Sequence, residues 1–300
     1  MPRPWSLLLI LGLAGCGKDE AIPTVILSDK AVVEKPALPR GEELRFSAPA
    51  RLSPKKAYSE YQALFSHVAR SLGKRGHTVT RETYAESLSL LEHREIDVAY
   101  LCAASYVIGK SKFGAEILAV PVVKGRAADA SCLIVHKESP VMRWEDLKGR
   151  SFAFTDPDSN AGWLVPVDLL ASKGVSPQVF FSKTIYTRAH DNSVKAVASG
   201  LVDAAAIHCN VLDEVLEEAP SAASRVRVVW KSAHFAMPPI AVHPGLDPAL
   251  KARLREAFLA LHRAPEGARL LRKAGIERFT VIDDSAYEPI RRMRAAVDRR

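Results

Sequence analysis

The chain has 300 residues, of which 48% are hydrophobic and 25% are charged. This composition is typical of a folded globular protein, and it excludes a disordered chain, a collagen-like repeat and a disulfide-dense mini-protein. The length predicts two domains or one large one. The formal net charge of +8 suits nucleic acid, a membrane surface or small anionic ligands, and by itself it does not choose among them.

The first residues predict an exported protein. Arg3 supplies a short positive region, and an apolar run extends from Trp5 to Leu13. Small residues follow at the point of cleavage, and the apolar core is too short to span a bilayer. This layout is that of a secretory signal, so we expect a signal peptide over residues 1–15.

The segment Leu13-Ala14-Gly15-Cys16 resembles the lipobox of bacterial lipoproteins. The resemblance implies a lipidated Cys16 that anchors the protein to a membrane on the periplasmic, extracytoplasmic side. We expect residues 16–42 to form this lipidated N-terminus and a proline-containing tether. An ordinary signal peptide or a buried N-terminal helix is the alternative.

Three further cysteines follow at Cys102, Cys132 and Cys209. Because three is an odd number, at most one disulfide forms among them and one thiol is left over. Each lies in or beside an apolar run, so we expect buried free cysteines that act as small hydrophobic residues.

From Glu43 onward, short apolar runs alternate with helical patterns, which predicts an α/β fold with largely parallel strands. The predicted strands are Leu44–Ala48, Thr78–Glu82, Val98–Leu101, Ile117–Val123, Leu133–His136, Ser151–Thr155, Val179–Tyr186, Ala204–His208, Val226–Lys231 and Pro239–His243. Helical spacing of apolar residues is clearest from Tyr61 to Leu72. We also expect helices over Asp247–His262 and Ala286–Val297.

Two breaks in the pattern predict a division into lobes. Glu145-Asp146-Leu147-Lys148-Gly149 is typical of a short helical turn that ends at glycine, and Met237-Pro238-Pro239 interrupts the chain later. We predict lobe 1 over residues 43–134 and 235–300 and lobe 2 over residues 135–234. A chain that leaves one lobe and returns to it creates a cleft between the two.

The segment from Phe154 to Pro166 predicts an anion site. An apolar run ends there, a turn follows, and a helix begins near Asn160. The first amides of a helix lack partners and carry the positive end of its dipole, so they attract anions. Ser159 is placed to cap this helix or bind a ligand oxygen, and Gly162 to let an oxyanion approach the backbone. The alternative is an ordinary helix in which Ser159 bonds only its own backbone.

A series of stretches resembles, in order, the substrate-binding proteins of phosphonate, phosphite and phosphate ABC importers. The stretches are Glu95–Tyr100, Asp146–Phe154, Asp156–Pro166, His190-Asp191, Ala196–Ala205, Val229–Ser232 and Pro238–Ile240. Together the resemblance extends over approximately residues 43–280. It implies a two-lobed venus-flytrap fold of the type II periplasmic-binding-protein class, with the ligand in the cleft between the lobes.

The resemblance also implies which residues bind the ligand. The anion cradle of the family falls on Ser159 and the backbone amides of the next three residues, its aromatic hydroxyl donor on Tyr84, and its histidine donor on His190. The full set of expected ligand-binding residues is Tyr84, Tyr100, Ser159, Asn160, Ala161, Gly162, His190, Asp191 and His208. Without a ligand role, Tyr84 is a residue at a helix start and His190 a surface residue beside an N-cap.

Two positions depart from the family pattern. Ala161 lacks a hydroxyl donor that the signature often has. His208 stands where the family often places an acid that meets a ligand amine. The departures argue against an aminoalkyl ligand and favour a more anionic or unsubstituted one, and a site that has drifted to another ligand is the alternative.

Motifs for other function classes are missing. The sequence has no paired histidines at zinc spacing, no C-x-x-C, no P-loop and no G-x-S-x-G, so we expect no metal, no cofactor and no enzyme activity. Basic residues without interleaved aromatics argue against a nucleic-acid partner.

We therefore expect a membrane-anchored receptor that captures a phosphonate-, phosphite- or phosphate-like oxyanion and delivers it to the permease of an ABC importer. A ligand-sensing lipoprotein of the same fold that signals to a membrane partner is one alternative. An enzyme that acts on phosphorylated small molecules is another.

Overall fold

The fold is described from a computed structural model, over residues 42–218 and 220–299. The expected signal peptide, Cys16 and nearly all of the expected tether lie outside the described residues. Within these ranges, no helix combines the length and the hydrophobicity that a bilayer crossing requires.

The strands and helices alternate along most of the chain, as the sequence predicts. The strands are β1 (Glu43–Ser47), β2 (Arg75–Val79), β3 (Val98–Tyr100), β4 (Glu116–Val122), β5 (Ala128–Asp129), β6 (Ser131–His136), β7 (Ser151–Phe154), β8 (Lys183–Tyr186), β9 (Ala204–His208), β10 (Val226–Lys231), β11 (Phe235–Ala236), β12 (Ile240–Val242) and β13 (Arg278–Thr280). The α-helices are α1 (Pro54–Ser71), α2 (Tyr84–Glu92), α3 (Ala103–Phe113), α4 (Val165–Ser172), α5 (Pro177–Phe180), α6 (His190–Ala198), α7 (Cys209–Glu218), α8 (Pro220–Ala223), α9 (Pro248–Ala260), α10 (Pro265–Lys273) and α11 (Glu288–Asp298).

The strands form two larger sheets and a short ribbon. The first sheet has the order β13-β4-β12-β3-β1-β2, the second has the order β10-β6-β9-β7-β8, and β5 pairs with β11 in the ribbon. Both sheets are mixed, so the expectation of largely parallel strands is only partly correct. Strand β12 is antiparallel to both neighbours, because the chain enters it on the way back from the second sheet.

The β5–β11 ribbon joins the two sheets. The chain leaves the first sheet after β4 and passes through β5 into the second sheet, and it returns from β10 through β11. Phe235 pairs with Asp129, and Ala236 pairs with Ala128, so the two crossings lie side by side. Strand β6 begins at Ser131, and the lobe boundary expected between residues 134 and 135 therefore falls inside a strand of the second sheet.

The match between predicted and observed strands depends on burial. Strand β9 coincides with its predicted range, and all of its residues are buried. The edge strand β2 begins and ends three residues earlier than predicted. Its exposed positions are polar, and they weaken the apolar pattern from which the strand was predicted. The predicted strand Val179–Tyr186 is wrong in its first part, where Pro177 begins the short helix α5.

The core of the first sheet is built on the apolar face of α1. Tyr61, Leu64, Phe65 and Val68 follow helical spacing, and all four are fully buried. The rings of Phe46 and Phe65 stack with their centroids 4.8 Å apart, which fixes α1 against β1.

Two of the cysteines form a disulfide. Cys132 in β6 and Cys209 at the start of α7 are bonded, with a Cα–Cα distance of 5.1 Å. The expectation of free cysteines is therefore wrong for this pair, and only Cys102 is free among the described cysteines. The physical reason is register: Cys132 lies opposite Ile207 in the β6–β9 pair, so the residue that follows β9 comes within reach.

Removing the disulfide is expected to lower stability. The bond closes a sequence separation of 77 residues, and the loss of such a constraint costs about 2–4 kcal/mol. The double variant Cys132→Ala/Cys209→Ala should lose this amount in its free energy of unfolding, measured by urea denaturation. A double variant as stable as the parent chain would contradict the assignment.

Candidate functional site

The segment that follows β7 begins with an unusual helical turn. Asn160–Leu164 forms a π-helical turn that leads into α4, and the amide of Leu164 donates to the carbonyl of Ser159 at 2.9 Å. Pro166 has no amide hydrogen, so it cannot donate to the carbonyl of Gly162. That carbonyl instead accepts from the amide of Thr155 at 3.2 Å. The widened turn is therefore tied back to the end of β7, and such turns often occur at functional sites.

Ser159 caps this turn, as both interpretations of the sequence allow. Its Oγ accepts from the amide of Gly162 at 3.0 Å, and the residue is fully buried. Gly162 packs directly against Thr155. A Cβ at this position would overlap Oγ1 of Thr155, so the packing by itself requires glycine here.

The structure brings together the three predicted donor side chains. Tyr84 is the first residue of α2, near the first sheet, and His190 is the first residue of α6, which follows β8 of the second sheet. The hydroxyl of Tyr84 lies 3.3 Å from Nε2 of His190 and hydrogen-bonds to the side chain of Ser159. All three residues are buried.

The surroundings of His190 fix its charge and its tautomer. Burial, and then the nearby His208 and Arg51, hold the pKa of His190 well below its ordinary value, so the ring is neutral at pH 7. The backbone amide of His208 donates to Nδ1 of His190 at 3.3 Å, which makes this nitrogen an acceptor. The proton is therefore assigned to Nε2, which faces the oxygen of Tyr84. The site offers neutral hydrogen-bond donors rather than a histidine cation.

A small pocket lies beside these donors. Of the predicted residues, Tyr84, Tyr100 and His208 line it. Ser159 and His190 reach the pocket through their hydrogen bonds with Tyr84. The amide of Asn160 donates to the sulfur of Cys102, another lining residue, at 3.4 Å. Burial raises the pKa of the Cys102 thiol to about 11, so this sulfur is an uncharged wall of the pocket.

Sequence reasoning missed a buried arginine in this pocket. Arg51 follows β1, is 9% exposed, and forms a two-pronged ion pair with Glu214 at 3.0 and 3.1 Å. It also donates to the hydroxyl of Tyr61 at 3.1 Å. Burial alone would lower the pKa of Arg51, but the carboxylate of Glu214 holds it well above its ordinary value. Arg51 and Glu214 are 163 positions apart in the sequence, so no local motif predicts their contact.

His208 lies against a carboxylate. Its Nδ1 is hydrogen-bonded to Asp129, which also accepts from the amides of Ala130 and Asn210 at 2.7 and 3.2 Å. Burial alone would raise the pKa of Asp129, but the contact with His208 lowers it below its ordinary value. Nε2 of His208 is buried and has no hydrogen-bond partner among the described residues.

The remaining predicted residues differ in what they offer to a ligand. Both side-chain amide atoms of Asn160 are buried without a partner in the described part of the chain. The methyl group of Ala161 belongs to the core, and only its backbone remains for binding. Asp191 is corrected to a structural position: its carboxylate accepts from the amide and the hydroxyl of Ser53, both at 2.9 Å. It thereby ties Ser53, the residue before α1, to α6, and it is not among the residues that line the pocket.

The described residues contain no cluster of side chains that would hold a metal ion. The donor side chains in and beside the pocket include hydroxyls, imidazoles and a guanidinium, a set that suits an oxyanion.

Comparison with known proteins identifies the family. Residues 46–287 match the family described as the periplasmic substrate-binding protein of the phosphonate ABC transporter. The chain belongs to this family. It is therefore a periplasmic substrate-binding component of an ABC importer, as the order of its motifs predicts, and its fold is the two-lobed, type II periplasmic-binding-protein fold.

Individual relatives agree with the family. The phosphonates-binding periplasmic protein of Escherichia coli is 25% identical over 239 residues, which cover 78% of this chain and 70% of the relative. A binding-protein component of the phosphonate transporter of Pseudomonas aeruginosa has a similar structure, with a TM-score of 0.81 at 23% identity over 86% of this chain and 87% of that one. PhnD1 of Prochlorococcus marinus in complex with methylphosphonate gives a TM-score of 0.78 at 17% identity over 86% and 99% of the two chains.

The neutral state of His190 predicts a loss of stability in acid. Because the pKa is depressed in the folded state, the unfolded chain binds a proton that the folded chain does not once the pH falls below about 6.5. Stability should therefore decrease on acidification, by at most about 1.4 kcal/mol per pH unit from this residue. The slope of unfolding free energy between pH 7 and pH 5 should be smaller in His190→Gln. The exposed His77→Gln serves as the control, and equal slopes in all three proteins would contradict the assignment.

Proposed function

We propose that this protein captures a phosphonate, or a closely related phosphorus oxyanion, among Tyr84, His190 and the anion cradle of Ser159 and the following amides. The observation that carries the proposal is the convergence of Tyr84, Ser159 and His190 at one point. The residues come from segments that flank different sheets, so a ligand held by all three would bridge them. Methylphosphonate bound to the P. marinus relative supports this class of ligand.

The chemistry of the donors supports an anionic guest. In the structure the hydroxyls of Tyr84 and Ser159 and the ring of His190 bond to one another as neutral groups. A ligand oxyanion that enters among them would exchange these bonds for charge-assisted ones, which are roughly twice as strong. The side-chain amide of Asn160, which has no partner among the described residues, adds a donor at the same helix start.

Lobe closure follows from the same arrangement. We propose that lobe 1 is built on the first sheet, that lobe 2 is built on the second, and that the β5–β11 ribbon is the hinge. In this proposal, the first boundary between the lobes moves from the expected position between residues 134 and 135 to just before Ser131. A ligand that touches both lobes favours the closed form by its differential affinity for that form, and the closed form would then be presented to the permease.

The protein is proposed to bind its ligand without chemical turnover. Ser159 is the nucleophile candidate nearest to the cradle, and its oxygen accepts from the amide of Gly162 instead of being aligned with a base. His190 bonds to Tyr84 and Thr155, and so it holds the pocket together.

We further propose that Cys16 carries a lipid. The lipobox-like segment Leu13-Ala14-Gly15-Cys16 supports this modification, and the residues that follow it up to the described part of the chain would be the tether.

Two conservative variants test the site. Because Ser159 is fully buried, a bulky replacement would disturb the packing, so Ser159→Ala and Tyr84→Phe are the informative changes. Each removes one hydroxyl from a charged ligand, and each should weaken methylphosphonate binding about ten- to a hundredfold. Isothermal titration calorimetry measures this loss.

The matched control is Tyr58→Phe, which removes a hydroxyl from a residue that is 48% exposed. It should bind methylphosphonate as the parent chain does. If both Ser159→Ala and Tyr84→Phe bind methylphosphonate as tightly as the parent chain, these hydroxyls do not bind the ligand and the proposed site is wrong. Failure of the parent chain to bind methylphosphonate, phosphite or phosphate would overturn the proposed function.

A further inference from the structure

We propose that the segment from Arg51 to Ser53 is a latch that bonds lobe 1 directly to helices α6 and α7 of lobe 2 and favours the closed form through bonds that do not involve the ligand. Glu214, Ser53 and Asp191 are then positioning residues that set the affinity without lining the pocket. The inference rests on the proposed function, because it concerns the closure that accompanies binding.

The latch segment belongs to the first sheet, and its partners belong to the second. It follows β1 and leads into α1, and the stacked rings of Phe46 and Phe65 hold these two elements together. Helices α6 and α7 follow β8 and β9 of the second sheet. Bonds between the segment and these helices therefore join the two proposed lobes.

Arg51 bonds to both helices. Its carbonyl accepts from the amide of His190, the first residue of α6, at 2.9 Å. Its guanidinium donates to both carboxylate oxygens of Glu214 in α7, at 3.0 and 3.1 Å. The two side chains are only 10% and 19% exposed, so water and salt screen the ion pair weakly. Removing one member of such a pair leaves a largely buried charge without its partner, which costs far more than the loss of a surface ion pair.

Ser53 adds a second connection to α6. Its amide and its hydroxyl each donate to the carboxylate of Asp191 at 2.9 Å. The side chain of Asp191 is 3% exposed, and Lys195 of the same helix pairs with it. Since neither Ser53 nor Asp191 lines the pocket, their bonds act on the contact between the lobes and not on the ligand.

A neighbouring ion pair on α7 provides a comparison. Asp213, the residue before Glu214, lies 2.6 Å from Nζ of Lys124, which follows β4 of the first sheet. These side chains are 42% and 65% exposed. An exposed pair of this kind contributes little to stability. Asp213 is therefore a matched control for Glu214, with the same charge on the same helix.

The latch has a direct consequence for affinity. When a ligand binds tightly only to the closed form, the apparent dissociation constant equals that of the closed form divided by the fraction of molecules that are closed. Bonds that favour closure raise this fraction and so strengthen binding. They must also break before the lobes part, so they slow the release of the ligand.

Small-angle X-ray scattering on the full chain measures closure directly. The radius of gyration is compared with and without saturating methylphosphonate, in the parent chain and in Glu214→Gln and Ser53→Ala. We expect the two variants to have a larger radius than the parent chain without ligand, and the same radius with ligand. The controls Asp213→Asn and Ser71→Ala should behave as the parent chain, since the hydroxyl of Ser71 bonds only within α1.

Binding kinetics supply the second readout. Glu214→Gln should weaken methylphosphonate binding about five- to fiftyfold, mainly through faster release. Removing a carboxylate near the pocket would by its charge alone strengthen the binding of an anion. Weaker binding by Glu214→Gln therefore reports the loss of closure and not the loss of the charge. Stopped-flow fluorescence measures the two rate constants.

The latch requires both results in Glu214→Gln, a larger radius without ligand and weaker binding. A ligand-free radius equal to that of the parent chain would overturn it, and so would binding as tight as that of the parent chain or tighter. If Glu214→Gln does not fold, Ser53→Ala decides by the same two criteria. If the parent chain does not bind methylphosphonate, the proposed function fails for this ligand, whereas the ligand-free radii still test the latch.

Discussion

The geometry of the site depends on the contact between Gly162 and Thr155. This contact is too close for any side chain at residue 162, and it brings the start of α4 against the end of β7. Pro166 cannot donate to the carbonyl of Gly162, and the amide of Thr155 donates to that carbonyl instead. As a result Ser159, which caps the turn, lies close to Thr155. Tyr84 contacts Ser159, and His190 contacts Thr155.

A site of this kind binds anions without a dedicated free cation. Buried hydroxyls, amides and a neutral imidazole avoid the large cost of burying an unpaired charge, and mutual hydrogen bonds satisfy most of them when no guest is bound. Arg51 and Asp129 are charged exceptions, and each has a partner, Glu214 for Arg51 and His208 for Asp129. In the proposed function, binding would exchange neutral bonds for charge-assisted ones and would link segments from both sheets. The same exchange would supply free energy for lobe closure.

Much of this organisation is predictable from the sequence, and the limits have physical causes. Strand β9 is buried throughout and gives an uninterrupted apolar run, whereas the exposed edge strand β2 does not. The family resemblance expects Ser159, Tyr84 and His190 in one site, and the structure places these side chains close together. Contacts between distant positions carry no local signal: the Arg51–Glu214 pair, the Asp129–His208 pair and the Cys132–Cys209 disulfide all depend on how the sheets assemble.

The structure of the protein crystallised with methylphosphonate is the most direct test of the account. We expect the phosphonate oxygens within hydrogen-bond distance of the hydroxyls of Tyr84 and Ser159 and of the amides that open the turn at Asn160. The mutual bond between Tyr84 and His190 should be replaced or shared. A phosphonate bound elsewhere, with these three side chains still bonded only to one another, would contradict the account.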